Sequence, residues 1–163
     1  MESWITNLAV PGDLDPILEI EVPGEPMPWA RPRFKRLGPK KIRFFNAPKV
    51  AAYQEAISYA VKMLGPRSPT KEPLTLWVKF GLPIPPSKPR KWRALAIVAQ
   101  LLPIFGRRSD LDNLVKGVMD AIGHAGNVWV DDCQVVDLAC QKRYHLKPST
   151  TIVVKIHEKE LPC

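Results

Sequence analysis

RRSDLDNLVKGVMDAIG, residues 107–123, runs two arginines into two aspartates spaced one residue apart, and then into an amphipathic stretch with a single lysine. Leu111, Leu114, Val115, Val118, Met119 and Ile122 recur at helical spacing, which predicts a helix over 109–123 closed by Gly123. Its acidic start has two readings. In the first, Ser109 is the N-cap and Asp112 completes a capping box, and each aspartate favours the helix dipole by ~0.3–1 kcal/mol. Asp112–Lys116 and Lys116–Asp120 are then i,i+4 surface pairs worth roughly 0.2–0.5 kcal/mol each. In the second, Asp110 and Asp112 are half of a metal site. Two helical residues two apart point about 200° away from each other. They converge only if Asp110 stands before the first turn, in extended or cap geometry.

A second acidic pair, Asp131–Asp132, follows NVWV (127–130), which reads as a short strand. Neighbouring side chains of a strand face opposite ways, so one of the pair faces Asp110 and Asp112 and the other assists from outside. Three carboxylates on one spot raise one another's pKa unless a cation sits among them. Mg²⁺, a hard ion taking oxygen ligands, meets that need, with Mn²⁺ as a substitute. Such a site serves phosphodiester hydrolysis. Lys116, one turn beyond Asp112, is placed to stabilise an anionic transition state or orient the water, or else forms a plain surface ion pair.

The charge distribution points the same way. The chain has 163 residues and a formal net charge of +8. Residues 26–109 hold 18 Lys or Arg against two acids, Glu55 and Glu72, whereas residues 110–137 hold six aspartates and one cation, Lys116. A basic body favours polyanionic partners through counterion release, and an acidic island within it is what a polyanion-binding protein needs to hold divalent cations. No stretch is long and apolar enough to span a bilayer. The start, MESWITNLAV, lacks a cationic leader and reads as no signal peptide. Cys133, Cys140 and Cys163 are an odd set without metal-ligand spacing, as expected of reduced thiols in a cytoplasmic protein. His124, His145 and His157 are scattered, with structural or surface roles expected.

Along the chain, residues 1–16 read as an irregular extension, 17–158 as one domain and 159–163 as a tail. ILEIEV (17–22) reads as a first strand, the proline- and glycine-rich 23–41 as a long basic loop, IRFF (42–45) as a short strand and 47–65 as a helix. LTLWVKFGLP (74–83) reads as a strand, 83–92 as a second proline-rich basic segment and 91–102 as a helix. QVVDLACQKRY (134–144) and TIVVKIHE (151–158) read as two strands forming a hairpin across 147–149. The expected class is α+β, a small mixed β-sheet with helices packed on one face.

RSDLDNLVKGVMDAIG followed by VWVDDCQVVDL and QKRY resembles the RusA family of Holliday junction resolvases. The family pattern is D-x-D-N-x-x-K, a helix ending in D-A-[LI], then W-x-D-D-x-Q-V and a K-R-Y-like strand. PIPPSKPRKWRALAIVAQLLP and PGEPMPWARPRF are similar to upstream family segments, so the resemblance covers about residues 17–158. It implies a RusA-like fold and a homodimeric, Mg²⁺-dependent endodeoxyribonuclease that resolves four-way junctions by paired symmetric nicks, in recombination and repair, often phage- or prophage-encoded. Carried over by position, Asp110, Asp112 and Asp132 match the essential carboxylates and Lys116 the essential lysine. Asp131 matches the first of the D-D pair, a weaker candidate. Asn113 and Gln134 match positions with a supporting role. Ser109, where some relatives carry a basic residue or proline, and the 16-residue extension depart from the pattern.

For DNA, the expected contacts come from Arg31, Arg33, Lys35 and Arg36 in the first basic segment, Lys88, Arg90 and Lys91 in the second, and Arg107–Arg108. Trp29 is placed to stack on an unpaired base or to pack under its loop. A two-fold dimer would set two sites on opposing strands of a junction. The competing readings are a nuclease of flap or other branched DNA and a non-catalytic basic DNA-binding protein whose aspartates only cap helices.

Overall fold

The computed structural model describes residues 15–29, 33–38, 41–45, 47–89, 91 and 110–158. Its centre is a four-stranded mixed sheet built from β1 (Leu18–Pro23), β4 (Leu74–Pro83), β5 (Val135–His145) and β6 (Ser149–Ile156), in the order β1-β6-β4-β5. The strands β1 and β4 pair antiparallel to β6, while β5 runs parallel to β4. A separate two-stranded antiparallel ribbon joins β2 (Arg33–Gly38) to β3 (Lys41–Phe45). Two helices, α1 (Pro48–Lys62) and α2 (Leu111–Ala125), and a 3-10 turn, Asp132–Gln134, complete the described elements.

The period-2 pattern of β4 sends Leu74, Leu76, Val78 and Phe80 into the core. There they meet Leu18 and Val22 of β1 and Ile152 and Val154 of β6. Tyr53, Ile57 and Val61 of α1 and Leu114, Val115, Val118, Ala121 and Ile122 of α2 close the same core, so both helices cover one face of the sheet, as expected for this α+β class. Side chains of α1 also reach the backbone of α2: Gln54 Nε2 donates to the Gly117 carbonyl and Ser58 Oγ to that of Ala121.

Four local expectations are corrected. The segment 33–38 is a strand of the ribbon rather than loop; its backbone pairs with 41–45, setting Lys35 opposite Arg43. The segment 127–130 forms only an isolated parallel bridge, Thr70 with Trp129, because the chain turns directly into Asp131. The helix over 111–125 passes through Gly123 and ends at Gly126, which adopts the left-handed φ of 75° that terminates a helix without a Cβ penalty. Finally, β5 and β6 do not form a hairpin, for β4 lies between them. The three-residue link 146–148 crosses the end of β4 at Gly81, whose missing side chain makes room: a Cβ there would lie 3.2 Å from His145 Cβ and 3.3 Å from Ser149 N.

Candidate active site

The site is built on the start of α2. Asp110 is its N-cap, with φ −65° and ψ 122°, and its carbonyl accepts the Leu114 N–H at 3.1 Å. Asp110 is therefore extended and stands before the first turn, the geometry that the metal reading requires. The Ser109–Asp112 capping box is not the one this helix uses: Asp112 occupies the second helical position, and the Asp110 side chain makes no cap hydrogen bond. Asp110, Asp112 and Lys116 are all exposed.

The second acidic pair divides its labour by a different device from strand alternation. Asp131 caps a single 3-10 turn, Asp132–Gln134, and its carboxylate accepts the Cys133 N–H at 2.9 Å. The Cys133 thiol and N–H, both bonded to Asp131, hold this carboxyl below the ordinary carboxylate value, and the same partnership pushes the thiol up. Gln134 closes a true capping box. Its Oε1 accepts from the N–H groups of Val130 at 2.9 Å and Asp131 at 3.0 Å. Its Nε2 donates to the carbonyls of Thr70 at 2.9 Å and Glu72 at 3.0 Å. Asp131 is spent on the turn, and Asp132, the next residue, is left to face outward.

Where Asp132 faces decides the site. It lines an open groove of about 450 Å³ together with Leu111, Asp112, Val115, Lys116, Met119, Leu138 and Cys140. One face of α2 and the helix-facing residues of β5 form the apolar walls, and Asp112, Lys116 and Asp132 supply the charge. Among the described residues, no group of three or more His, Cys, Asp or Glu side chains is assembled to hold a metal ion by itself. The expected trio of Asp110, Asp112 and Asp132 is thus brought together as the pair Asp112 and Asp132 across one groove, with Asp110 at the adjoining cap. Asn113 contributes through its backbone, since its carbonyl accepts the Trp29 N–H at 2.8 Å. The Lys116 ammonium lies over the Trp29 ring, 5.0 Å from its centroid.

Of the expected DNA contacts, Lys88 and Lys91 are exposed, and Arg33, Lys35 and Arg36 lie on β2. Arg31, Arg90, Arg107 and Arg108 lie outside the described residues, as does the helix expected at 91–102 apart from Lys91. Cys133 and Cys140 are free thiols, and Cys163 lies outside the described residues. Sequence reasoning missed the capping role of Asp131 with Gln134, although the D-x-x-Q spacing signals it. It also missed the contact between Trp29 and Lys116, for which no local signal exists.

A lysine and two carboxylates facing one groove of a strongly basic domain are the equipment of an enzyme that hydrolyses phosphodiesters. The chain belongs to the RusA endodeoxyribonuclease family: the family model, Endodeoxyribonuclease RusA, matches residues 23–156. It is also similar to the uncharacterized protein YqaN of Bacillus subtilis (strain 168), at 30% identity over 141 residues, covering 85% of this chain and 95% of that protein. No described helix is long and apolar enough to cross a membrane.

Proposed function

We propose that this chain is a Mg²⁺-dependent, structure-specific endodeoxyribonuclease of the cytoplasm. In this reading it acts as a homodimer and resolves four-way DNA junctions by paired symmetric nicks, in recombination and repair. The observation that carries the reading is the convergence of Asp112, Lys116 and Asp132 on one groove from two distant stretches of chain.

The donor set fits a hard divalent ion. Mg²⁺ is typically held by one or two carboxylates and completes its shell with waters and substrate phosphate oxygens, so a site offering two carboxylates in an open groove suits it better than a closed protein cage does. Asp112 and Asp132 would hold it here, and Asp110 at the adjoining cap, whose carboxyl is not engaged in capping, would be the third donor. When bound, the ion supplies an activated water and neutralises charge on the attacking and leaving oxygens. The chain's own residues do the rest. With the ion bound, Asp112 and Asp132 would set where the reacting phosphate lies in the groove. Lys116 presents a positive charge to the non-bridging oxygens as negative charge grows there. Leu111, Val115, Met119 and Leu138 form the apolar walls that flank these charged groups. Asp131 and Gln134 hold the turn, and the cations of both basic segments grip the DNA backbone.

The test is a junction-cleavage assay with Mg²⁺ and with EDTA, run on the wild type and on Asp112→Asn. Cutting should require the ion and vanish in the variant, while junction binding is kept or tightened because one negative charge facing the phosphate is gone. Cleavage by Asp112→Asn at the wild-type rate overturns the assignment. Linear duplex and flap substrates offered alongside separate junction resolution from general branched-DNA cutting.

A further inference from the structure

We infer that Trp29 is a positioning residue for Lys116, holding its ammonium over the groove that Asp112 and Asp132 line, rather than a platform for an unpaired base. The inference rests on Lys116 being required for cleavage, as proposed above.

Three observations carry it. First, the Lys116 ammonium sits over the Trp29 ring at 5.0 Å from the centroid, within the range in which an indole face attracts a cation. A lysine has a long flexible stem, and an exposed one without such a contact samples many rotamers. Second, the ring is not on a free loop. The Trp29 N–H donates to the Asn113 carbonyl at 2.8 Å, which pins this stretch of backbone to the same helix, one turn from its start. Third, that backbone runs close against the helix. Gly117, the residue after Lys116, is where the chain passes closest, and a Cβ there would already touch Met27 O at 3.4 Å and Trp29 N at 3.5 Å. Backbone and ring thus bracket Lys116, with the indole half-buried on one side and the groove on the other.

The consequence is a division of roles. One indole face is taken by the ammonium rather than offered to a stacked base, and the charge that balances the phosphate is held ready instead of being recruited from solvent.

The test compares the full-length wild type with Trp29→Leu, Trp29→Phe, Lys116→Ala and the double variant Trp29→Leu/Lys116→Ala, on a four-way junction under single-turnover conditions. Trp29→Leu should lower the maximal cleavage rate about tenfold with junction affinity changed less than about twofold. Trp29→Phe should recover most of the rate, because a phenyl face still attracts a cation. The double variant should be no slower than Lys116→Ala alone, as expected when one residue acts through the other. A loss of affinity with an unchanged rate would make Trp29 a base platform and overturn the inference, as would a double variant that loses both effects in full. If Lys116→Ala itself cleaves normally, the assignment of Lys116 fails instead. Should Trp29→Leu fold poorly, Trp29→Tyr and Trp29→Phe provide the graded series. In that series Trp29→His stands in for the lost aromatic face, and a rate in Trp29→His equal to that of the wild type then overturns the inference.

Discussion

Gln134 closes the turn that Asp131 opens: its amide oxygen accepts the Asp131 N–H at 3.0 Å, and Asp131 in turn accepts the N–H of Cys133 at 2.9 Å. The amide nitrogen of Gln134 extends the clamp to Thr70 and Glu72. One side chain therefore ties the Asp132 turn to the segment leading into β4, and Asp132 inherits its direction from that tie.

Gln134→Ala should lose all four hydrogen bonds. At a net value of ~0.5–1.5 kcal/mol each, reduced by exposure, stability should fall by about 2 kcal/mol. For a domain of this size that is roughly 4–8 °C of melting temperature. Junction cleavage well below the melting point should fall by more than tenfold, because small displacements of a reacting group are costly. Gln134→Glu keeps the acceptor and loses both donors to Thr70 and Glu72, so its cleavage rate should lie lower than wild type and no lower than that of Gln134→Ala. A calorimetric scan and a cleavage time course check both.

Gly81→Ala probes the crossing of β4 by the 146–148 link. The new Cβ would press on His145 and Ser149 at 3.2–3.4 Å, and both Ser149 contacts are backbone, which yields less than a side chain. The expected cost is about 1–3 kcal/mol, read by urea unfolding. Because the strain falls at the end of the sheet that carries no member of the acidic site, metal-dependent cleavage by the folded fraction should be unaffected.

Tyr53 gives a pH-dependent signature. Its phenol is buried and shares a 2.6 Å hydrogen bond with Thr150, and burial raises its pKa well above the ordinary value of 10.0. A folded-state pKa above the unfolded one favours the folded protein fully below about pH 10, and this contribution fades as pH rises beyond that, by about 1.4 kcal/mol per pH unit. Tyr53→Phe should cost about 1–2 kcal/mol at pH 8. The gap between wild type and variant should narrow as pH is taken from 9 to 11 in urea melts, while a constant gap would contradict the burial effect.

Much of this architecture was legible in the residues. The strand at 74–83 has the same bounds in the fold because its β-branched and aromatic run is flanked by proline at both ends. The buried stripe of α2, from Leu114 to Ile122, follows from helical spacing alone. The need for Asp110 to stand outside the helix followed from the 100° step between helical residues. What was not legible depends on pairing across the fold. Nothing local says that β5 joins β4 in parallel or that β6 lies on the far side of it, since both strands look alike to a period-2 pattern and a short turn suggests a hairpin. The ribbon at 33–45 was hidden by the prolines and glycines around it. In the site, composition revealed which residues carry the charge, but it could not reveal that Asp131 is consumed by its own turn while Asp132 reaches the groove. That outcome is set by Gln134 and the 70–72 segment, more than sixty residues upstream.

Junction affinity should also depend steeply on salt. If about four cations from the two basic segments and their neighbours each neutralise a phosphate, raising salt from 50 to 200 mM should weaken binding on the order of 10²-fold. Titrations at several salt concentrations give the slope, and a flat response would remove the basic segments from the binding surface.

The central claim is that Asp112 and Asp132 share one divalent ion. A crystal of the full chain soaked in Mn²⁺ and measured at the manganese absorption edge tests it without recourse to activity. The expected result is an anomalous peak in the groove beside Lys116, at coordination distance, ~2.0–2.2 Å, from a carboxylate oxygen of each aspartate, and lost in Asp132→Asn. A fully soaked crystal with Mn²⁺ bound elsewhere and none between these two side chains would contradict the account.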